Sequence, residues 1–239
     1  VSYNKLLEAK VGNTNIEEVI NFIEEMTGDK HICLVYGKEE ELNNILVPYF
    51  GKGLINNEVC IWVFSGSTQM GDAKEALKMK IPDLDIYIEK GQMILLDNQD
   101  LYVKGGEFDP ASVLQFWPEK KKQVLDKGFK ALRVSGGGNW ARGRQWIELA
   151  KYEELVNAFI LENPMKAICT YSNKIAGLPE ILSVGVHHSK LIIYQEGKWQ
   201  ILDATNARLL LEKLENPYLT DYFPLASPLI KPAHPLLHK

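Results

Sequence analysis

Apolar positions in this chain gather into short unbroken blocks separated by stretches of helical period. "HICLVY" (31–36) and "VCIWVF" (59–64) are β-forming runs with no polar alternation, the pattern of strands covered on both faces. Similar blocks follow at "QMILLD" (92–97), "KALRVS" (130–135) and "KAICTYS" (166–172). Between them, Thr14 and Glu17 have capping-box spacing around a helix whose apolar face carries Ile16, Val19, Ile20 and Ile23. Leu42, Ile45, Leu46, Tyr49 and Phe50 share one face of a second helix, which Pro48 is expected to kink and Gly51 and Gly53 to end. "STQMGDAKEALKM" (67–79) reads as a third helix. Asp109 as N-cap with Pro110 at the first helical position opens a fourth over 109–128, and "QWIELAKYEELVNAFILEN" spans 145–163.

Strand and helix alternating at this spacing predict an α/β fold, a mainly parallel sheet flanked by helices on both faces. The pattern changes at "KLIIYQEGKWQIL" (190–202), where a Glu196-Gly197 turn between β-rich runs predicts an antiparallel hairpin at the sheet edge. Pro217, Pro224, Pro228, Pro232 and Pro235 keep the tail beyond it out of regular structure. The expected organisation is an N-terminal helical extension (1–27), an α/β core (28–189), and a C-terminal hairpin, helix and proline-rich tail (190–239) packed on the same domain.

Composition narrows the function classes. With 239 residues, 46% apolar and 24% charged, the chain is an ordinary globular protein able to bury its own core. A net charge of -4 argues against a nucleic-acid surface, and the Lys120, Lys121, Lys122 run reads as the solvated face of a helix. Cys33, Cys60 and Cys169 each lie inside an apolar run, as reduced core thiols of a cytoplasmic protein do. No signal-peptide pattern and no apolar stretch of spanning length points to export or to a membrane.

A nucleotide-binding α/β protein places its phosphate loop where the first strand meets a helix. Here that junction reads "LVYGKEEELNN" (34–44), one glycine and a lysine followed by Glu39, Glu40 and Glu41. Three carboxylates suit the positive end of a helix dipole and would repel a triphosphate from it. The strand ends "VFSGST" and "ALRVSGGG" offer no carboxylate for water or magnesium. The expectation is therefore a degenerate phosphate loop, no enzyme activity, and no cofactor. The alternative is a nucleotide-binding protein or weak ATPase with an unconventional loop, for which Lys38, Arg142 and Arg144 are the supporting residues.

In open α/β sheets ligands bind outside the carboxyl ends of the strands. The residues expected there are Tyr36, Gly37 and Lys38 after the first strand, Ser65 after the second, Ser135, Gly136, Gly137, Trp140 and Arg142 around the fourth, and Tyr171 at the fifth. In "SGGGNWARGR" (135–144) the glycines permit close backbone approach and Trp140 with the arginines supplies an aromatic wall and positive charge; the plainer reading is a loop whose tryptophan packs on the core. His31 and Cys33 share a strand face, and Cys60, Cys169, His187 and His188 approach them only if neighbouring strands carry them there. Without a close CxxC or HxxxH pairing the expectation is core packing and no metal. Tyr152, Glu153 and Asn157 fall on one helical face, and Arg133 is the expected partner of a buried Glu153.

The segment "GDKHICLVYGKEEELNNILVPYFGKGLINNEVCIWVFSG" (28–66) resembles the DcmR-type sensory domain, MEDS, of methanogens and methylotrophs. "YVKGGEFDP" (102–110), "KGFKALRVSGGGNWA" (127–141), "YEELVNAF" (152–159), "AICTYS" (167–172) and "GVHHS" (185–189) continue the similarity in order, and His31 is the family-matched histidine. The triple glycine and Ser189 in place of a proline depart from the pattern. The resemblance implies a ligand-sensing module, related in fold to RecA and KaiC-like domains, that detects a simple hydrocarbon derivative. It implies partnership with a histidine kinase or transcription regulator. With no helix-turn-helix or kinase region left over, that partner is expected in trans, and the exposed hairpin edge is expected to permit a homodimer.

Overall fold

The computed structural model describes residues 14–64, 67–195 and 197–213. The expectations for Ser65, Gly66, Glu196 and the proline-rich tail fall outside them. Helix α1 (Ile16–Glu25) is capped one residue later than its spacing predicts. Asn15 accepts the Glu18 N–H while the Glu18 carboxylate accepts the Asn15 N–H, and Thr14 instead bridges to Trp199.

The unbroken apolar runs form β1 (His31–Tyr36) and β2 (Val59–Phe64), buried at every position. Between them runs α2 (Glu39–Ile55), which passes through Pro48, Gly51 and Gly53 without ending. Gly53 is present for close approach rather than termination: a Cβ there would lie 2.5 Å from Arg133 Cδ and 2.7 Å from Cys60 Sγ. The chain continues through α3 (Ser67–Lys80), α4 (Leu84–Glu89), β3 (Met93–Asp97), the single turn α5 (Asn98–Leu101), α6 (Pro110–Asp126), β4 (Leu132–Gly137), α7 (Gln145–Glu162) and β5 (Met165–Ser172). It then forms α8 (Leu178–Gly185), β6 (Lys190–Gln195), β7 (Lys198–Asp203) and α9 (Ala204–Lys213). Asp109 caps α6 as predicted, accepting the Ala111 N–H.

Seven strands make one sheet in the order β3-β2-β4-β5-β1-β6-β7, parallel except for the antiparallel β6-β7 pair at the edge. The predicted α/β class and hairpin are both present. Right-handed crossovers tie helix side to strand direction. The steps from β1 to β2 to β3 run toward one edge, and α1 to α4 cover one face. From β3 the steps reverse, and α6, α7, α8 and α9 cover the other. Adjacent β1 and β5 therefore send their following helices to opposite faces, opening a crevice at their carboxyl ends. Among the described residues no helix is long and apolar enough to cross a membrane.

Candidate functional site

At the crevice, Tyr36 ends β1 and its hydroxyl accepts the Asn139 side-chain amide at 2.6 Å. The Asn139 carbonyl oxygen accepts the Ser172 backbone N–H at 2.9 Å, so one side chain from the loop after β4 links the ends of β1 and β5. Burial pushes the Tyr36 phenol up to about 12, with Glu39 adding in the same direction against the hydrogen bonds of Asn139 and Gln69. Lys38 is the extended N-cap of α2, and the Glu41 carboxylate turns back to accept the N–H groups of Gly37 at 2.8 Å and Lys38 at 3.1 Å. Two of the donors that a phosphate loop would offer to an anion are taken by the chain's own carboxylate. Beside them opens a cleft of about 600 Å³ lined by Lys38, Glu41, Asn44, Tyr194 and Trp199 among others.

The glycines at the end of β4 serve close packing. A Cβ on Gly136 would lie 2.6 Å from the Tyr102 hydroxyl, one on Gly137 2.9 Å from Thr170 Oγ1, and one on Gly138 2.6 Å from Tyr171 Cε1. Trp140 packs its ring against Phe108 and Tyr102, with centroids 4.6 and 6.2 Å away. Arg142 donates to the Asn139 and Ala141 carbonyls at 2.6 and 2.7 Å, holding the loop closed on itself. Ser135 is fully buried in β4.

His31 and Tyr171 belong to a different place, beneath α7. His31 starts β1 at its amino end and points with Cys33 and Val35 toward the α7 face. Its Nε2 lies 3.3 Å from Cys169 Sγ and 3.3 Å from Glu153 Oε2, and its Nδ1 donates to Asn157 Oδ1 at 3.2 Å. The ring of His188, from the turn before β6, lies 3.9 Å from that of His31, centroid to centroid, and its Nε2 is 3.6 Å from Glu153 Oε2. The second oxygen of Glu153 accepts the Tyr171 hydroxyl at 2.6 Å. Burial pushes the Glu153 carboxyl up, but the His31 hydrogen bond, the neighbouring imidazoles and the Tyr171 hydroxyl outweigh it and hold it at about 2. Burial holds His188 at about 3, and burial beside Glu153 keeps the Cys169 thiol well above its ordinary value.

Sequence spacing assigned Arg133 to Glu153, and the structure corrects this. Leu132 and Val134 face α7, so Arg133 projects through the opposite face, where it is fully buried, pairs with Glu58 and donates to the Tyr49 carbonyl at 3.2 Å. Cys60 lies on that opposite side too, its thiol directed at the Phe50 carbonyl. The sequence placed the acids 39–41 at the helix start and "SGGGNWARGR" at the strand end; the direct Glu41 contacts and the Asn139 link are what the structure adds.

The family model described as MEDS, MEthanogen/methylotroph, DcmR Sensory domain, matches residues 30–188. The Transcriptional repressor DcmR of Methylorubrum extorquens is 26% identical over 169 residues, 69% of this chain and 60% of the relative, so the chain spans about 60% of that protein's length. Among solved structures the chain is similar to a KaiC-like protein from Pyrococcus horikoshii OT3, at 13% identity and a TM-score of 0.45, covering 69% of this chain and 71% of the other.

Proposed function

The chain belongs to the MEDS family, and from that membership we propose that it is a non-catalytic sensor which binds a small organic molecule, a simple hydrocarbon derivative or related metabolite, at the carboxyl ends of its strands. The sensory and regulatory role follows from the family; the ligand and its place are our reading. The observation that carries it is the Glu41 carboxylate seated on the Gly37 and Lys38 N–H groups, which sets a negative charge on two of the donors a triphosphate would need. What remains at the crevice is a polar seam of Tyr36 and Asn139 beside Gly136 and Gly137, suited to a neutral molecule with one or two hydrogen-bonding groups.

A ligand that competes for the Tyr36 hydroxyl or the Asn139 amide loosens the link between β1, β5 and the loop carrying Trp140 and Arg142. That loop leads directly into α7, and a population shift there changes the outer surface offered to a histidine kinase or transcription regulator in trans.

Thermal denaturation against a panel of short-chain alcohols, amines and haloalkanes tests the reading, with Mg-ATP as the comparison. At least one organic member is expected to raise the melting temperature at saturation, in a manner lost in Asn139→Ala, and Mg-ATP is not. A panel without any shift, or tight ATP binding, removes the basis for the proposal.

A further inference from the structure

We propose that His31, Glu153, Cys169 and His188 form a buried four-coordinate site for a divalent transition metal, Zn²⁺ above all. Their ligating atoms all lie within 4.8 Å of one another. Four of the six separations are 3.3, 3.3, 3.6 and 3.6 Å. Tetrahedral coordination with bonds of roughly 2.0 to 2.3 Å requires ligand-to-ligand edges of roughly 3.3 to 3.6 Å. Those four distances match the edges of an occupied site, and the two that involve His188 with His31 and Cys169, within 4.8 Å, close on binding.

The hydrogen-bonding directions point the same way. His188 Nδ1 faces the Val184 carbonyl at 2.9 Å, and a carbonyl only accepts, so the proton sits on Nδ1 and Nε2 carries a bare lone pair. That Nε2 is buried without a hydrogen-bond partner and is aimed at a carboxylate oxygen, acceptor against acceptor. His31 faces Asn157 Oδ1 through Nδ1 and turns Nε2 inward to Glu153 Oε2 and Cys169 Sγ, where a metal would replace the proton shared with the carboxylate. Tyr171 holds the far oxygen of Glu153 and leaves Oε2 facing the centre. Outer partners that fix each imidazole through its second nitrogen are the regular companions of metal-ligating histidines. A cation at the centre resolves the opposed lone pairs that the protein alone leaves facing one another.

Charge and ligand type select the metal. Two imidazoles, a thiolate and a carboxylate form a mixed nitrogen, sulfur and oxygen set that suits Zn²⁺ and not Mg²⁺ or Ca²⁺. On binding, the Cys169 S–H bond breaks, its electron pair forms the sulfur-metal bond and the proton leaves to solvent, so that metal, thiolate and carboxylate sum to zero charge in a buried space. Four protein ligands leave no open position, which makes this a structural clasp joining β1, β5, α7 and the turn before β6. It stands apart from ligand sensing at the strand ends.

Elemental analysis of the purified 239-residue chain should find one equivalent of metal. After removal under denaturing conditions and refolding with Co²⁺ alone, the visible bands of tetrahedral cobalt and a near-ultraviolet thiolate-to-cobalt charge-transfer band are expected. Cys169→Ser should lose the charge-transfer band, whereas Cys33→Ser, its register neighbour on β1, should keep it. Asn157→Ala should weaken metal affinity by roughly 10- to 100-fold, as loss of an outer partner does. Substoichiometric metal together with refolded protein that takes up no Co²⁺ overturns the site, and a band that follows Cys33 overturns the ligand assignment. If a variant fails to fold, the stoichiometry and cobalt spectrum of the unaltered chain decide.

Discussion

The Glu41 carboxylate lies 2.8 Å from the backbone nitrogen of Gly37, so α2 holds its own anion where its dipole would otherwise hold a foreign one. Glu39 and Glu40 share the same first turn, and Glu39 accepts a hydrogen bond from Gln69 at 2.9 Å, fastening α3 to the same end. The helix start is thereby stabilised as structure.

Glu41→Ala frees two N–H groups and removes a reciprocal cap, so it is expected to lower stability by about 1 kcal/mol, the ordinary worth of such a cap. Glu41→Gln retains an accepting oxygen and should lose less. Urea unfolding of the three proteins measures both, and an alanine variant as stable as its parent would mean that the carboxylate contributes nothing as a cap.

Much of the sheet was legible because β1 and β2 are buried on both faces, which writes an unbroken apolar run into the chain. The hairpin was legible for a similar reason, since Gly197 at φ +79° marks its turn. Helix α8 was not, because eight residues with Pro179 in the first turn are too few to establish a period. At the site, strand alternation showed that Arg133 and its neighbours face opposite ways without showing which face α7 would cover. The meeting of His31 with His188 depends on β6 pairing beside β1, a register that neither local segment encodes.

Arg133 is buried against Glu58 and lies over the Tyr49 ring at 4.7 Å. Glu58→Ala leaves a buried guanidinium without its counter-ion and is expected to cost about 3 to 5 kcal/mol. Gly53→Ala drives a methyl group into the same guanidinium stem and should cost about 1 to 3 kcal/mol. Because the two share a partner, their effects in the double variant should not add. Additive denaturation midpoints would show that Gly53 and Glu58 act on separate parts of the core.

Alkaline titration follows from the buried phenols. Burial pushes Tyr36 up to about 12 from an ordinary 10.0, and it raises Tyr49 and Tyr102 well above that ordinary value too. A raised folded-state value means that the native protein keeps protons which the unfolded chain would release. The stability tied to Tyr36 is therefore complete below pH 10 and is lost as the pH rises toward 12. Ultraviolet absorbance should show these three ionising only with the loss of circular dichroism. Ionisation of all tyrosines in one step near pH 10, with the fold intact, contradicts their placement.

Asn139 bridges the ends of β1 and β5 through its side chain, donating to the Tyr36 hydroxyl and accepting from Ser172. Removing it by Asn139→Ala strands a backbone N–H and takes from the buried Tyr36 hydroxyl one of its partners, an expected loss of about 1 to 3 kcal/mol. Tyr36→Phe removes only the first of these bonds and should cost about 1 kcal/mol. The decisive quantity is their coupling. If the hydroxyl matters through Asn139, Tyr36→Phe costs almost nothing in the alanine background, and the double-mutant cycle closes with an interaction of about 0.5 to 1.5 kcal/mol. Measured by urea denaturation with and without an organic ligand, the same cycle also separates stability from sensing. A ligand that inserts at this seam should diminish the coupling as it binds, whereas a ligand seated elsewhere leaves it unchanged.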